Sequence, residues 1–457
     1  MSTRHVDLAV LGGGAAGLAA VREARRRGAS ALMVNAGPIG GDCTFTGCVP
    51  SKTLIEAARV GASFGEAFGR VRSVVDRIAS SETADVLRAE GIEVIDEVGE
   101  ITGPGRLRAG STAVEAGGVV VAIGSRPAVP PIPGLDAVEP LTSDSFWSLG
   151  QAPTSLAVIG GGAIGCELSQ ALALLGVEVT LIEMAPRLLA SEEPASSGVV
   201  ARALDAAGVT VRTGVAVERV ERRTDGAVLH LDDGSLVAAE QVLVATGRRS
   251  NADRSGLSAA GLDLDERGYV ATSDDLKTTM ARTYAAGDIT GRVQLTHAAD
   301  QMGRIAAGNS LRRLGRTRFV ADRIPRVTFT DPEVASVGAT EADAALRWPK
   351  ARVVELPLDE HDRAIAADRT DGFIKLIAAP KPVIGHLGGG HLVGASIVAP
   401  RAGEMLGELT LALALKTFVG RVALTAHPYP TWSYGIQKAV GQFFTEIEGR
   451  THRPVGG

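Results

Sequence analysis

The sequence predicts an α/β fold in which one strand–turn–helix–strand unit occurs twice. Three features predict it: each copy begins with a short apolar strand, continues through a Gly-x-Gly-x-x-Gly turn, and runs through a helical segment into a second strand. The first copy spans residues 6–35 and the second spans residues 156–183. Because strands alternate with helices, we expect a parallel sheet in each copy.

The glycines occupy matching places in the two copies: Gly12, Gly14 and Gly17 in the first, and Gly160, Gly162 and Gly165 in the second. Glycines at this spacing allow a tight turn, a close approach of the backbone to a pyrophosphate, and close packing of helix on strand. The start of the following helix supplies oriented N–H groups for the anion. One such turn is weak evidence, but two in the same context predict two Rossmann-like dinucleotide-binding domains.

The residue that closes each second strand is expected to select the ribose. Glu183 stands 21 positions after Gly162, where a carboxylate accepts both ribose hydroxyls and repels a 2′-phosphate. This favours NADH over NADPH, although a solvated carboxylate at a strand end is the alternative. Asn35 stands 21 positions after Gly14 and is an uncharged amide where an acid is usual. Its side chain can still hydrogen-bond a hydroxyl group.

Later apolar strands follow each copy and end in glycine turns. Two of these turns contain Gly124 and Gly247, and a third places Asp288 directly after a glycine. At that place a carboxylate could hold a ribityl hydroxyl at the start of a helix. The alternative for Asp288 is an ordinary turn or helix N-cap aspartate.

The bulk properties exclude several classes of protein. A chain of 457 residues predicts two to four domains. The net charge is −5 without a block of like charges, so we expect neither a nucleic-acid nor a membrane partner. The apolar segment 407–424 is interrupted by Lys416 and Arg421, which argues against a membrane span. The first residues do not resemble a signal peptide, so we expect a cytoplasmic protein.

Two of the three cysteines, Cys43 and Cys48, lie five positions apart in the segment GGDCTFTGCVPSK. In an ideal helix this spacing separates the Cα atoms by about 8.7 Å, which is beyond the roughly 7 Å limit for a disulfide. A disulfide therefore needs an irregular turn, which Gly47 allows. In a reducing compartment such a pair is more often catalytic than structural, and two unlinked thiols in a glycine loop are the alternative.

Together these motifs resemble the class I flavoprotein disulfide reductases, which include dihydrolipoamide dehydrogenase, glutathione reductase and mercuric reductase. The resemblance rests on GGDCTFTGCVPSK together with AIGSRP, GGGAIGCE, VATGR, YAAGDITG and VTFTDPEVASVGATE, and it extends over essentially the whole chain. It implies FAD on the first unit, a nicotinamide nucleotide on the second, and a C-terminal α+β dimerisation domain that makes a homodimer. The implied FAD-binding domain is discontinuous (1–148 and 273–322), with the NAD(P)-binding domain at 149–272 and the dimerisation domain at 323–457.

The resemblance also implies roles for individual residues. Cys48 is the thiolate against the flavin, Cys43 is the thiol that attacks the substrate, and Lys52 and Glu167 form an ion pair near the flavin. Cys166 is expected to be a buried helix thiol. The predicted cofactor-binding residues are Gly12, Gly14, Gly17, Asn35, Gly41, Lys52, Gly124, Asp288, Gly160, Gly162, Gly165, Glu183 and Gly247.

The C-terminal segment AHPYPTWSYGIQKAV departs from the family pattern. Tyr429 stands where the disulfide-reducing members have a catalytic histidine, Tyr434 stands at the histidine's glutamate, and His427 lies two residues before Tyr429. A tyrosine with a pKa near 10 is a poor proton carrier at neutral pH, although it can donate a hydrogen bond. Mercuric reductase also has this tyrosine, but it keeps the glutamate and uses a C-terminal cysteine pair that this chain does not show. The alternative for both tyrosines is packing at a subunit interface.

We therefore expect an FAD-dependent enzyme that passes electrons from NADH through FAD and a Cys43–Cys48 disulfide to a thiol, disulfide or thiophilic substrate. In the expected homodimer, Tyr429 of one chain approaches the cysteines of the other. The alternatives are a quinone reductase that uses FAD directly and a reductase of soft metal ions. We expect no bound metal, because His386 and His391 flank a glycine turn that reads as a hairpin.

Overall fold

The computed structural model of the chain describes residues 2–253, 256–312 and 314–456. Within these ranges, no helix is long and apolar enough to cross a membrane. The helices are α1 Ala15–Arg26, α2 Gly41–Phe45, α3 Cys48–Arg59, α4 Phe64–Ala79, α5 Ala84–Ala89, α6 Ala163–Leu174, α7 Pro194–Ala206, α8 Thr296–Leu311, α9 Glu341–Arg347, α10 Asp362–Ala366, α11 Ala402–Ala414, α12 Val419–Leu424 and α13 Tyr434–Gly441.

The strands follow the same chain order. They are β1 Ser2–Leu11, β2 Ala31–Val34, β3 Glu93–Ile95, β4 Gly99–Gly103, β5 Arg106–Ala109, β6 Thr112–Val121, β7 Ser125–Pro127, β8 Leu141–Thr142, β9 Ser155–Ile159, β10 Glu178–Glu183, β11 Thr210–Thr213, β12 Val217–Arg223, β13 Gly226–Leu231, β14 Leu236–Ala239, β15 Gln241–Val244, β16 Arg248–Ser250, β17 Thr283–Ala285, β18 Arg326–Thr328, β19 Glu333–Gly338, β20 Arg352–Pro357, β21 Phe373–Ala379, β22 His391–Ala399 and β23 Arg453–Pro454.

The described residues form two compact units, and each unit is discontinuous in sequence. The first unit combines residues 2–130, 141–152 and 243–321. The second unit combines residues 131–140, 153–242 and 322–456. The predicted segment 149–272 overlaps both units, and the four predicted domain segments remain a prediction.

The first unit is built on a sheet of order β3-β2-β1-β6-β5-β4, with β17 paired to β6. Strands β1, β2, β3, β6 and β17 run parallel, whereas β4 and β5 join by antiparallel pairing. All of β2, residues 8–11 of β1 and residues 118–121 of β6 are buried, as expected for the central part of a parallel sheet covered on both faces. Helices α1 and α8 can pack closely because Gly303 has no side chain. A Cβ at this position would lie only 2.1 Å from the Ala16 carbonyl oxygen.

The second unit contains the second glycine turn and the C-terminal sheet. Strands β9, β10 and β11 pair in parallel, and β12, β13 and β14 form an antiparallel sheet. A six-stranded antiparallel sheet follows in the order β18-β19-β22-β21-β20-β23. Leu406 and Leu409 of α11 and Ile436 of α13 are buried in the same core cluster as this sheet. The predicted α/β fold with a C-terminal α+β domain is therefore confirmed.

Candidate functional site

The first glycine turn requires its glycines for backbone reasons. Gly12 has φ +109°, and a Cβ there would lie 2.4 Å from the Ala122 carbonyl oxygen. A Cβ at Gly17 would lie 1.9 Å from the Gly12 carbonyl oxygen, so α1 can approach β1 only with glycine at this position. At Gly14, the nearest described heavy atom to such a Cβ is 4.0 Å away. The turn is therefore tight on the protein side and open on the side that faces the cavity.

Asn35 closes this turn from the end of β2. The backbone N–H of Gly13 donates to Asn35 Oδ1 at 2.7 Å, and Asn35 Nδ2 donates to the Gly37 carbonyl oxygen at 2.9 Å. Both polar atoms of the amide therefore already bond the backbone. The side chain stabilises the turn, and only its spare lone pair and second N–H remain for a ligand.

A cavity of about 1260 Å³ opens in front of the turn within the first unit. This volume exceeds the roughly 300–1,000 Å³ of an ordinary small-molecule pocket, as a dinucleotide requires. Three predicted residues of the first unit do not line it: Gly17 lies behind the turn against β1, Lys52 lies on α3, and Gly247 directly precedes β16. The predicted residues that line the cavity are Gly12, Gly14, Asn35, Gly41, Cys43, Cys48, Gly124 and Asp288.

Asp288 and Arg248 form the polar wall of this cavity. The hydroxyl of Ser125 donates to Asp288 Oδ2 at 2.7 Å, and Arg248 Nε lies 3.6 Å from the same oxygen. Arg248 also bonds Asp42, which precedes Cys43, and lies 4.0 Å from Asp144. One guanidinium thus connects the cysteine segment to the aspartate after β17.

The cysteine segment breaks into two short helices. Helix α2 ends at Phe45 and α3 begins at Cys48, with Gly47 between them at φ −114° and ψ −111°. A Cβ at Gly47 would lie 2.8 Å from the Asp42 carbonyl oxygen, so this irregular turn depends on glycine. The disulfide between Cys43 and Cys48 remains a prediction.

The two thiols differ in their readiness to ionise. A hydrogen bond to Cys48 and burial raise the pKa of the Cys43 thiol, while a hydrogen bond from Thr296 acts in the opposite direction. Cys48 is the first residue of α3, where the helix dipole favours negative charge. Its Sγ lies 3.2 Å from Thr296 Oγ1, at the start of α8. The raised pKa keeps Cys43 protonated, and the thiolate expected on Cys48 remains a prediction.

The second glycine turn reproduces the first. Gly160 has φ +114°, and a Cβ at Gly165 would lie 1.8 Å from the Gly160 carbonyl oxygen. Glu183, at the end of β10, accepts a hydrogen bond from the Gly161 N–H at 2.6 Å and another from the Ala185 N–H at 2.7 Å. These two bonds hold both carboxylate oxygens in place, and each oxygen keeps a lone pair for a ribose hydroxyl.

Cys166 and Glu167 follow this turn on α6 and are both buried. Cys166 donates from its Sγ to the Gly161 carbonyl oxygen at 3.4 Å, and burial raises its pKa. It is the buried helix thiol that the sequence predicts. Glu167 accepts a hydrogen bond from the Phe329 N–H at 2.9 Å. Its predicted ion pair with Lys52 remains a prediction.

The C-terminal aromatic segment holds a tyrosine pair where the family pattern has histidine and glutamate. Tyr429 is 64% exposed, and its ring meets the ring of Tyr434 edge-on at 5.3 Å between centroids. The hydroxyl of Tyr429 donates to Asp362 Oδ2 at 2.9 Å, and this bond raises the pKa of Tyr429. The tyrosine is therefore even less suited to carrying protons than its ordinary pKa suggests.

His427 is engaged elsewhere. Its Nε2 lies 2.9 Å from Glu408 Oε2, and its Nδ1 lies 2.8 Å from the Thr425 carbonyl oxygen. Because a carbonyl and a carboxylate only accept, each ring nitrogen faces a hydrogen-bond acceptor. The side chain of His427 is 5% exposed and has a structural contact with Glu408.

The remaining predicted positions are also located. Gly124 and Gly247 have positive φ angles of 67° and 122°. The hairpin predicted around His386 and His391 is confirmed, since β21 pairs antiparallel with β22 up to His391. Among the described residues, no group of three or more His, Cys, Asp or Glu side chains could hold a metal ion.

Sequence reasoning missed three residues of the site: Thr296, Arg248 and Asp362. Arg248 is the last residue of the VATGR motif, so its position in a motif was an available signal. Thr296 is the first residue of α8 and lies outside the quoted motifs. Asp362 begins a five-residue helix outside every motif. Only the fold brings it to Tyr429.

Comparison with known proteins matches two families along the chain. Residues 6–303 match the pyridine nucleotide-disulphide oxidoreductases, and residues 324–440 match the dimerisation domain of the pyridine nucleotide-disulphide oxidoreductases. The two matches together cover most of the sequence.

Relatives of two named activities show similar identity. Mercuric reductase of Bacillus cereus is 32% identical over 96% of this chain and 72% of its own length. Mercuric reductase of Streptomyces lividans is 33% identical over 96% of this chain and 97% of its own length. Dihydrolipoyl dehydrogenase of Thermus scotoductus is 32% identical over 95% of this chain and 96% of its own length. Identity therefore does not choose between the two activities.

Solved structures agree with the fold. LpdA from Mycobacterium tuberculosis superposes with a TM-score of 0.87 at 27% identity, covering 97% of this chain and 100% of that one. The Cu(II) complex of the HOCl-induced flavoprotein disulfide reductase RclA from Escherichia coli gives 0.86 at 25% identity, covering 96% and 99%.

Proposed function

The chain belongs to the pyridine nucleotide-disulphide oxidoreductases, the class I flavoprotein disulfide reductases, and from this membership we propose that it passes electrons from NADH through FAD to the Cys43–Cys48 pair and on to a thiol, disulfide or thiophilic acceptor. Enzymes of this family use FAD and a pyridine nucleotide. The observation that carries the proposal is that both cysteines line the cavity in front of the first glycine turn.

The residues that line the cavity have the chemistry that FAD binding requires. Gly14 leaves room for a pyrophosphate at the start of α1, and Asp288 offers a carboxylate to a ribityl hydroxyl. When bound, FAD would accept two electrons from a nicotinamide donor and pass them to a disulfide. Lys52 lies one helical turn after Cys48 on α3, where its charge would act on the flavin, with Glu167 as its proposed partner.

NADH is the proposed donor. Glu183 is held by two backbone N–H groups, so its charge is presented in a defined direction at the end of β10. A 2′-phosphate would meet this charge at close range. Gly160, Gly162 and Gly165 would then carry the pyrophosphate at the start of α6. Gly247 is also a proposed cofactor-binding residue.

The cysteines have separate proposed tasks. Cys48 keeps the thiolate, because Thr296 and the start of α3 stabilise its charge. Cys43 attacks the acceptor. Its raised pKa keeps the thiol protonated at neutral pH, so a base must remove this proton before the attack. In the proposed homodimer, which the dimerisation-domain match at 324–440 supports, Tyr429 of the partner chain approaches Cys43.

A second candidate is a quinone reductase that uses FAD directly. The raised pKa of Cys43 and the tyrosine at the histidine position both slow ordinary disulfide turnover, which favours an acceptor that bypasses the thiols. Reduction of a soft metal ion is the other acceptor class, supported by similarity to mercuric reductases and by the affinity of thiolates for soft metals.

An anaerobic titration of the FAD-loaded protein with NADH tests the proposal. We expect a long-wavelength thiolate-to-flavin band before the flavin bleaches, and two more electrons per flavin than in a Cys43→Ser control. Direct bleaching without the band and without the extra electrons would make the quinone reductase the better account. Alkylating the thiols and then measuring quinone reduction separates the two routes.

A further inference from the structure

The exposed end of the C-terminal segment carries a tyrosine whose proton already has a partner. Tyr429 donates its hydroxyl hydrogen to Asp362 Oδ2 at 2.9 Å. A phenol has one hydrogen to donate and lone pairs to accept with. While this bond exists, the oxygen of Tyr429 can offer only lone pairs to an incoming molecule.

Contacts on both sides of Asp362 support this arrangement. His361, the preceding residue, is 1% exposed and its ring lies 6.1 Å from the ring of Trp432. Arg363, the following residue, places its guanidinium 5.7 Å from the centre of the same ring. Because Trp432 lies three residues after Tyr429, these contacts hold the aspartate and the tyrosine segment together.

The bases of α13 and of the segment after it bond carboxylates other than Asp362. Lys438 on α13 bonds Glu448, and Arg450 Nε lies 3.0 Å from Glu360 Oε1. Each of these bases therefore already has a carboxylate. The bond from Tyr429 spreads the negative charge of Asp362 toward the exposed phenol without neutralising it.

We propose that Asp362 is a specificity-determining residue: it turns Tyr429 into a hydrogen-bond acceptor beside a negative charge, so that the site favours neutral or cationic electron acceptors over anionic ones. This inference rests on the proposed function, in which Tyr429 stands near the attacking thiol. It reverses the role expected from the sequence, where the tyrosine donates to a thiolate or an anion. Without a histidine base, discrimination by charge becomes the main contribution of this segment.

The pair itself is tested without any turnover. The chain contains four tyrosines, and their ionisation is followed by tyrosinate absorbance, with Tyr429→Phe identifying the curve of Tyr429. In Asp362→Asn we expect Tyr429 to ionise at lower pH than in the wild type. In Asp359→Asn, which removes an exposed carboxylate of the same segment and leaves the bond in place, we expect no such change. An unchanged Tyr429 curve in Asp362→Asn overturns the inference.

The consequence for specificity is tested with lipoamide and lipoate, which share one dithiolane ring and differ in charge. We expect the FAD-loaded wild type to favour neutral lipoamide in kcat/KM by about five-fold, the effect of one nearby charge in water. Asp362→Asn should bring the ratio close to one, and Asp359→Asn should leave it near the wild-type value. Equal rates in the wild type, or an unchanged ratio in Asp362→Asn, overturn the inference.

A separate control distinguishes failure of the inference from failure of the proposed function. Cys43→Ser should abolish reduction of both dithiolanes. If Cys43→Ser keeps that activity, the proposed electron route is wrong, whatever the charge preference. If Cys43→Ser is inactive and the Asp362→Asn ratio is unchanged, only the role of Asp362 is wrong.

Discussion

The two glycine turns of this chain have nearly the same backbone and different closing residues. Gly14 and Gly162, which precede α1 and α6, have φ/ψ angles of −76°/−172° and −75°/−174°. In each copy the residue between the first two motif glycines, Gly13 or Gly161, donates its N–H to the side chain at the end of the second strand, Asn35 or Glu183. The shared hydrogen bond shows that this side chain holds the turn in both copies.

The difference lies in what remains after the turn is held. Glu183 keeps a full negative charge and a lone pair on each oxygen, whereas Asn35 has one acceptor oxygen and has committed part of its amide to Gly37. The first copy receives further polar groups from Asp288 and Arg248 around its cavity. If both copies bind nucleotides as proposed, recognition would be concentrated in one residue in the second copy and distributed in the first.

The largest difference between the two copies is expected from substitution of the third glycine of each turn. Alanine at Gly17 or at Gly165 would place a Cβ within 1.9 Å or 1.8 Å of a carbonyl oxygen. We expect Gly17→Ala to lower FAD affinity by roughly a hundred-fold. Gly165→Ala should keep FAD and lose a similar factor in flavin reduction by NADH. Flavin content and stopped-flow reduction measure the two effects, and loss of FAD in both variants would contradict separate cofactor sites.

The role of the Glu183 charge in the second copy is tested by removing it. Glu183→Ala should lower the preference for NADH over NADPH by roughly ten- to a hundred-fold, the value of hydrogen bonds to a charged group. The matched variant Glu183→Gln keeps one acceptor for the Gly161 N–H and should lose less. The ratio of kcat/KM for the two nucleotides measures the effect, because a loosened turn weakens both equally. An unchanged ratio would remove Glu183 from nucleotide selection.

In the first copy the expected effect is on stability more than on selection. Asn35→Ala leaves the Gly13 N–H without its acceptor and should lower the free energy of unfolding by about 1–3 kcal/mol. Asn35→Asp retains an acceptor oxygen and should stay closer to the wild type. Chemical denaturation of the flavin-free protein measures both. If the two variants unfold alike, the bond to Gly13 does not hold the turn.

The smallest effect is expected at Cys166, which corresponds to Leu18 of the first copy. Cys166→Ala should change NADH oxidation by less than about two-fold, because the side chain is packed behind the turn and touches no open surface. Since burial raises its pKa, the thiol stays protonated at neutral pH and should resist alkylation. Counting alkylated thiols by mass should therefore show Cys43 and Cys48 modified before Cys166. Modification of Cys166 first would contradict its burial.

Much of the fold was predictable because its signals are local. A glycine required at Gly12 or Gly160 by a positive φ angle, and an apolar strand before it, need only neighbouring residues to be recognised. The irregular turn at Gly47 could also be predicted, because a disulfide between Cys43 and Cys48 is incompatible with one regular helix. The hairpin around His386 follows the same local logic.

Other contacts of the site could not be predicted because their partners are far apart in sequence. Thr296 reaches Cys48 across 248 residues, and Ser125 reaches Asp288 across 163 residues. His427 shows the same limit, since its sequence position beside Tyr429 gave no sign of its contact with Glu408. No local pattern specifies which distant side chain completes such a bond.

The sequence by itself determined the two nucleotide turns, the close cysteine pair and the loss of the histidine, because each depends on residue identity at short spacing. Only the tertiary structure decided which hydroxyl contacts Cys48 and which way the proton of Tyr429 points. Those properties depend on Thr296 and Asp362, whose positions are set by packing of α8 and α10. Hydrogen-bond direction is a property of a pair, and the pair exists only after the chain has folded.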